Sequence, residues 1–435
     1  MPERREVYES LDLALRIGEV LLSSGAGAAD VSAAMLSVTR ACGVRHVSAD
    51  VTFVDLTLRY QPSSDGPVAV QIRRVIQRGV DYAELTEVDE TANELIAGRV
   101  TRAEARHKVA QIVSSGHVRR RWAVTLGWGV MGTGIALTLG GSWVVCLRAF
   151  LAAVAIDWTR RLLPLHRIPA FYQQSAGGFV ATVIAVTASA THLEVNPSRV
   201  VTAGIVMLLA GVGIMGATQD ALTGFPLTAS ARLLDAMLNT MGIIAGVSAG
   251  LALGDLLGVG LASFSPGAAG PAEAGVTVFG AAIAAAAFAF ASYAPLRSLA
   301  AVAVVAALGQ AVLLTVDTAE LGRTWGSAAA AITIGAVCYL AAGRFRVPPL
   351  VVVVPAIVPL LPGLDIYRGL ALLAEGKDGV LQLAAAFATA LALAAGVILG
   401  QYLAQPLKRE AHWIETRLSG PRMVGPFRGS GASDR

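Results

Sequence analysis

Three carboxylates stand out because of what surrounds them. Asp220 follows Gln219 at the end of a long apolar run, Asp235 lies within another with Asn239 four residues on, and Asp365 closes a third ahead of Tyr367 and Arg368. A carboxylate at the centre of a bilayer costs roughly 2.5–3.5 kcal/mol on insertion scales, so one kept there faces a cavity or a partner. Their spacing puts Asp235 and Asn239 on one helix face. Such a group can take up a proton in one conformation and release it in another, which makes Asp220 and Asp235 the proton-coupling candidates. The plainer alternatives are that Asp235 snorkels to the cytoplasmic surface or pairs with Arg232, and that Asp365 is an ordinary loop residue. Gln310, Arg148 and Asp157 also fall within apolar runs, the last two near enough to the ends to snorkel.

Backbone groups supply a second chemistry. Residues 347–370 (VPPLVVVVPAIVPLLPGLDIYRGL) hold Pro348, Pro349, Pro355, Pro359 and Pro362. Proline inside a helix removes a donor and frees a carbonyl. In a membrane, irregular backbone survives only where protein or a water-filled cavity covers it. Gly211-Val-Gly213-Ile-Met-Gly216 reads as a second helix break. It formally fits GxGxxG, but it follows an apolar run and not a strand, so it is not read as a dinucleotide site. Two broken segments point to a transport site, where half-helix amino ends face anionic groups and freed carbonyls face cations. The substrate-binding candidates are Gly211 and Gly213 at one break, Pro359, Pro362, Gly363 and Asp365 at the other, with Thr223, Asn239 and Tyr367 as polar neighbours.

Little else in the chain is arranged for chemistry. Six scattered histidines make no metal spacing, and Cys42, Cys146 and Cys338 sit singly with no CxxC. His46, Asp50, Thr52 and Asp55 lie close together near the amino end, and a hydrolytic role can be imagined for them. No nucleophile with a base at reading distance accompanies them, and no phosphate loop. One solvent-facing side of a strand is the preferred reading. No catalytic residue and no cofactor is implied.

The elements that must position these groups follow from composition. Of 435 residues, 55% are hydrophobic and 15% charged, with mean hydropathy +0.62. Residues 1–121 carry 16 Lys+Arg and 16 Asp+Glu, half of all 64 charges. That stretch suits a small soluble α+β domain: helices at 8–22 and 30–42 with Asp30 as N-cap, strands around 47–53 and 68–72, and helices at 83–97 and 101–115, the last opened by a Thr101/Glu104 capping box. A regulatory, structural or oligomeric role is expected of it. The rest breaks into apolar runs of the length that crosses a bilayer: 122–140, 142–162, 171–190, 198–217, 232–254, 275–293, 297–316, 325–343, 348–362 and 380–404. The amino terminus shows no apolar leader, so the first span near Trp122 is expected to start insertion.

Loops expected inside hold twelve basic residues (Arg119–Arg121, Arg160, Arg161, Arg167, Arg232, Arg297, Arg344, Arg346, Lys408 and Arg409) against four outside (Arg199, Arg323, Arg368 and Lys377), which places both termini in the cytoplasm. The same asymmetry explains the +4 net charge without nucleic acid. Ten spans divide five plus five, so the halves would insert with opposite topology. GIVMLLAG (204–211) matches AIVPLLPG (356–363), Ser175-Ala176 matches Ser327-Ala328, Ala245–Val247 matches Ala395–Val397, and Gly250 matches Gly400, at offsets of 150 to 152. Glycines at 242, 246, 250 and 254, with Gly396 and Gly400, form stripes that let helix backbones approach. The expected architecture is a membrane all-α bundle: a domain at 1–121, repeats at 122–260 and 275–404, and a tail at 405–435, set in the cell membrane. A homo-oligomer is compatible with it.

Three stretches resemble the threonine/serine exporter family of bacterial membrane proteins: LLSSGAGAADVSAAMLSVTRACG (21–43), DALTGFPLTASARLLDAMLNTMGIIAG (220–246) and PAIVPLLPGLDIYRGL (355–370). The resemblance covers nearly all of the chain except the last 25 or so residues. It implies ten spans, a cytoplasmic amino-terminal domain, and export of L-threonine and L-serine driven by the proton gradient. Some relatives split into two chains near the midpoint, which agrees with a boundary at 264–275. A zwitterionic amino acid suits a half-helix amino end and a carboxylate, and Thr223, Asn239 or Tyr367 suits its hydroxyl. Export of small dicarboxylates, with Arg232 or Arg368 as cationic partner, and a membrane-tethered hydrolase are the alternatives.

Overall fold

The computed structural model describes residues 4–409 apart from 64–65, 76–78, 118, 166–167, 190–199, 202, 205–210, 258–270, 320–321, 346 and 375–376. Helix α1 (Arg4–Ser23) buries Leu11, Ile17 and Leu21 and turns the i,i+4 pairs Arg5–Glu9 and Arg16–Asp12 outward. It crosses α2 (Ala28–Ala41) at Gly18, where a Cβ would stand 2.7 Å from the Met35 sulfur. Gly27 precedes α2 without a side-chain cap, and Asp30, expected as the N-cap, lies buried in the first turn instead. The strands are β1 (Val47–Val51), β2 (Asp55–Tyr60) and β3 (Ala69–Arg74), antiparallel in that order. The sequence reading passed over β2, although its Leu56 and Leu58 are fully buried. The apolar Val70 and Ile72 of β3 are exposed, at 47% and 66%. Helices α3 (Tyr82–Ile96) and α4 (Arg102–Ser115) complete the amino-terminal unit, and the Thr101/Glu104 capping box is formed in both directions.

Long apolar helices follow: α5 (Arg121–Thr138), α6 (Trp143–Leu165), α7 (Ala170–Ser189), α8 (Gly211–Leu222), α9 (Pro226–Leu256), α10 (Pro271–Ala291), α11 (Leu296–Thr318) and α12 (Arg323–Phe345). A short helix α13 (Leu350–Ile357) runs into a 3-10 turn (Val358–Leu360), then α14 (Gly363–Ala374) and α15 (Val380–Arg409). By length and composition, four described segments are able to cross a membrane alone: Pro226–Gly254, Glu273–Ala291, Leu296–Thr318 and Val380–Ala404. Others are diluted by polar groups, as α6 is by Arg148, Asp157, Arg160 and Arg161, and nearly half of the run expected at 198–217 lies outside the described residues. The glycine run 211–216 lies at the start of α8 as described, and residues 205–210 before it are outside the described ones.

Glycines set how these helices meet. Gly242 abuts Phe171, Gly246 abuts Ser175, and Gly254 abuts Val186, so α9 and α7 run parallel in backbone contact. Gly396 and Gly400 meet Ala328 and Ile332 in the same sense, which makes α15 and α12 parallel too. Gly127 meets Ala291 and Gly134 meets Ala284, so α5 and α10 are antiparallel. Helix α8 packs on α9 and α15, and α14 packs on α15 and α9. One contiguous apolar core joins the amino-terminal unit to Met215 and to residues of α10 through α15.

Candidate functional site

The α8–α9 hairpin closes through local chemistry. The Thr223 hydroxyl donates to the Gln219 carbonyl at 2.8 Å. Gly224 takes φ +91, and the Phe225 N–H returns to the Asp220 carbonyl at 2.8 Å. Pro226 then begins α9, where a missing N–H costs nothing. Ala236 stands 3.4 Å from the start of any side chain at Gly213, and the Arg232 guanidinium lies across Gly216.

This hairpin buries an ion pair. Asp220 is 0% exposed and Arg232 8%, with Arg232 Nε 3.0 Å from Asp220 Oδ2. The connection from α1 to α2 completes the site. The Ala28 N–H donates to Asp220 Oδ1 at 2.7 Å, Arg232 donates to the Ala26 carbonyl at 2.7 Å, and Gln219 donates to Asp30 Oδ2 at 3.2 Å. Close by, the Thr228 hydroxyl donates to the Val51 carbonyl at 2.9 Å. The Asp220 carboxylate therefore also occupies the positive end of the α2 dipole. Arg232, counted above as a loop charge, belongs to α9 and is buried.

Asp235 accepts from Asn239 Nδ2 at 3.1 Å, while the charge of Arg232 is taken by Asp220. Its side of α9 also exposes Leu234, Met237, Leu238 and Met241. The structure thus separates Asp235 from Asp220, although both lie on one hairpin.

The proline-broken segment is a second centre. Every residue of α13 is buried, with Pro355 inside the helix. Pro359 sits in the 3-10 turn, and the buried Pro362 and Gly363 lead into α14. Asp365 lies in the first turn of α14, and is not a loop residue; its Oδ2 is 3.7 Å from Arg323 Nε. Tyr367 and Arg368 lie on α14, with side chains outside the described ones. Gln310 was noted in the sequence but given no role. It is buried on α11 beside Gly309, which touches Ile334 and Leu360, and its Oε1 has no hydrogen-bond partner among the described residues. Ser327 on α12 is likewise buried with an unpartnered hydroxyl. A lone polar residue in an otherwise apolar helix was the available signal for Gln310; Ser327, among alanines, gave none.

A further polar joint was not foreseen. Asp81 caps α3 through the Ala83 and Glu84 N–H groups and lies 2.8 Å from His117 Nδ1. The His117 ring stacks on Tyr293 at 4.4 Å, and the Tyr82 N–H donates to the Ser292 carbonyl at 3.0 Å. Arg119 donates to the carbonyls of Phe290 and Ala294 and lies over the Phe290 ring. Among His46, Asp50, Thr52 and Asp55, by contrast, the bonds are those of a tight turn. The Asp55 N–H donates to the Thr52 hydroxyl at 3.0 Å, and Asp55 pairs with Arg74 at 3.1 Å.

Residues 12–254 match the sequence model of a family described as "Putative threonine/serine exporter", and residues 277–403 match one described as "Threonine/Serine exporter, ThrE". A Mycobacterium tuberculosis protein named "Probable threonine/serine exporter" is 36% identical over 424 residues, covering 94% of this chain and 80% of its own length. The "Threonine/serine exporter" of Corynebacterium glutamicum is 35% identical over 418 residues, covering 94% and 85%. No solved structure matches the chain.

Proposed function

The chain belongs to the threonine/serine exporter family, a family of multi-pass membrane transporters and not of enzymes, and from that premise we propose that it exports L-threonine and L-serine as a proton-coupled secondary carrier. The observation that carries the reading is the arrangement around the two irregular segments. Helices α7 and α9 run parallel, so the chain between them returns once through the thickness of the bundle; α12 and α15 run parallel with the buried α13–α14 segment between them. Helices α8 and α14 each pack on both α9 and α15. Such a pairing supports ten spans in two halves of opposite topology, with substrate held where the segments meet. In this reading residues 1–121 form a cytoplasmic domain, the spans occupy 122–260 and 275–404, residues 405–435 follow as a cytoplasmic tail, and the protein sits in the cell membrane.

The amino end of α14, entered through Pro362 and Gly363, offers the N–H groups of its first turn, around Asp365, to the substrate carboxylate. Gly211 and Gly213 let the α8 backbone approach from the other side, with Pro359 shaping the turn. Thr223, Asn239 and Tyr367 are the polar partners assigned to the hydroxyl. Asp220 and Asp235 are the carboxylates assigned to the proton. Counterflow of labelled threonine, serine and succinate in proteoliposomes tests this. Threonine and serine are expected to exchange and succinate not. Asp220→Asn or Asp235→Asn is expected to lose gradient-driven export while keeping exchange, because exchange moves no net proton. Exchange of succinate alone would replace the substrate assignment, and wild-type export in both variants would remove the carboxylates from coupling.

A further inference from the structure

We propose that residues 26–30, at the amino end of α2, are a releasable latch on the α8–α9 hairpin, and that each export cycle opens it; the inference rests on the transport reading above. Among the described residues, polar contacts join the amino-terminal unit to the membrane helices at two places of different character. One, built from Tyr82, His117 and Arg119 on residues 290–294, adjoins the covalent connection into α5. Helix α5 in turn lies in backbone contact with α10 at Gly127 and Gly134. That joint travels with α10 whatever else moves. The other has no covalent tie nearby: Ala28 and Asp220 are 192 residues apart in the chain.

The chemistry of the second joint suits separation. Both members of its buried ion pair, Asp220 and Arg232, come from the hairpin. The amino-terminal unit gives them main-chain groups, the Ala26 carbonyl and the Ala28 N–H, and gives Asp30 to Gln219. When the surfaces part, the two charges keep each other, and the freed main-chain groups meet water. An ion pair split across the joint would instead leave a charge alone on each side, which is far costlier.

The geometry also couples the joint to the substrate region. A Cβ at Gly27 would stand 2.8 Å from Gln219 Nε2, so α2 closes directly on the end of α8. Helix α8 has 12 residues, from Gly211 to Leu222; such a helix is a rod of about 18 Å. With the latch shut, the Gln219 end of this rod is held against α2, so any tilt of α8 that moves this end requires the latch to open.

The test joins Gly27→Cys to Gln219→Cys in protein whose native cysteines are replaced (Cys42→Ala, Cys146→Ala, Cys338→Ala). The two introduced thiols are expected to oxidise to a disulfide, to lower threonine export by roughly tenfold or more, and to recover fully on reduction. Export at the same rate oxidised and reduced would overturn the latch, as would thiols that react with maleimide yet never cross-link. Ala28→Cys alone in the same background gives an independent reading, since Ala28 is 0% exposed. Maleimide labelling there should quicken when threonine turns over, and an unchanged rate would overturn the latch. If the wild-type protein moves no threonine, the transport reading falls first and the latch with it.

Discussion

At the scale of single residues, the buried acids behave differently according to their partners. Asp220 has a guanidinium and a main-chain N–H; removing one member of such a buried pair typically costs about 3–5 kcal/mol. Asp89 on α3 has much less. It is 7% exposed, Asn93 donates to its Oδ2 at 3.1 Å, and its Oδ1 has no hydrogen-bond partner among the described residues. Burial pushes its pKa from 3.8 up to about 7, with Glu90 acting in the same direction and the Asn93 hydrogen bond opposing. The folded pKa lies above the unfolded one, so between those values the folded chain holds the extra proton. Stability therefore falls as pH rises from about 4 to about 7 and is level above that. The full-length protein in detergent should unfold at a lower temperature at about pH 8 than at about pH 5, and Asp89→Asn should remove most of that difference. An unchanged pH dependence in the variant would mean that Asp89 is ionised throughout.

At the scale of elements, helix pairs in the membrane part are held by close approach. Gly246 faces the Ser175 carbonyl so tightly that a Cβ there collides with main chain, which cannot yield as a side chain would. Gly246→Leu should therefore reduce the folded yield in detergent severalfold, whereas Ala252→Leu, at an exposed position on the same helix, should leave it near wild type. Equal yields would mean that α7 and α9 are not packed on this stripe. Gly400, against the Ile332 carbonyl, makes the corresponding contact between α15 and α12. In β3 the apolar residues are not the ones turned inward. Gln71 and Arg73 point inward, where Gln71 reaches the Tyr8 carbonyl and Arg73 meets Glu19, while Val70 and Ile72 point out. Partners on α1 decided that orientation.

At the scale of the whole molecule, a continuous apolar core runs from the amino-terminal unit into the membrane helices. Truncation at residue 121 would expose the surface that Gln219, Asp220 and Arg232 now cover. The proposed topology makes a direct prediction. Single cysteines placed near Gly270 or Lys377 should label from outside intact cells, and one at Gly343 should not. Labelling at Gly343 from outside would overturn the orientation derived from the basic residues.

What the sequence determined by itself was whatever depends on neighbours within a few residues. The apolar runs at 232–254, 275–293, 297–316 and 380–404, the capping box at Thr101 and the glycine stripe of α9 read correctly, because each is a local requirement of backbone geometry or desolvation. The family was legible too, in stretches such as 355–370. The candidate site was legible as a set of residue types but not as an arrangement. Asp220 and Asp235 looked alike in sequence, fifteen positions apart on one apolar hairpin. Only the fold brought Ala26 and Ala28 across some two hundred residues to enclose one of them, and left the other on the outer side of α9. Partners so distant in the chain leave no periodicity to read, since their meeting depends on how α2 docks on α8 and not on any local preference of either segment.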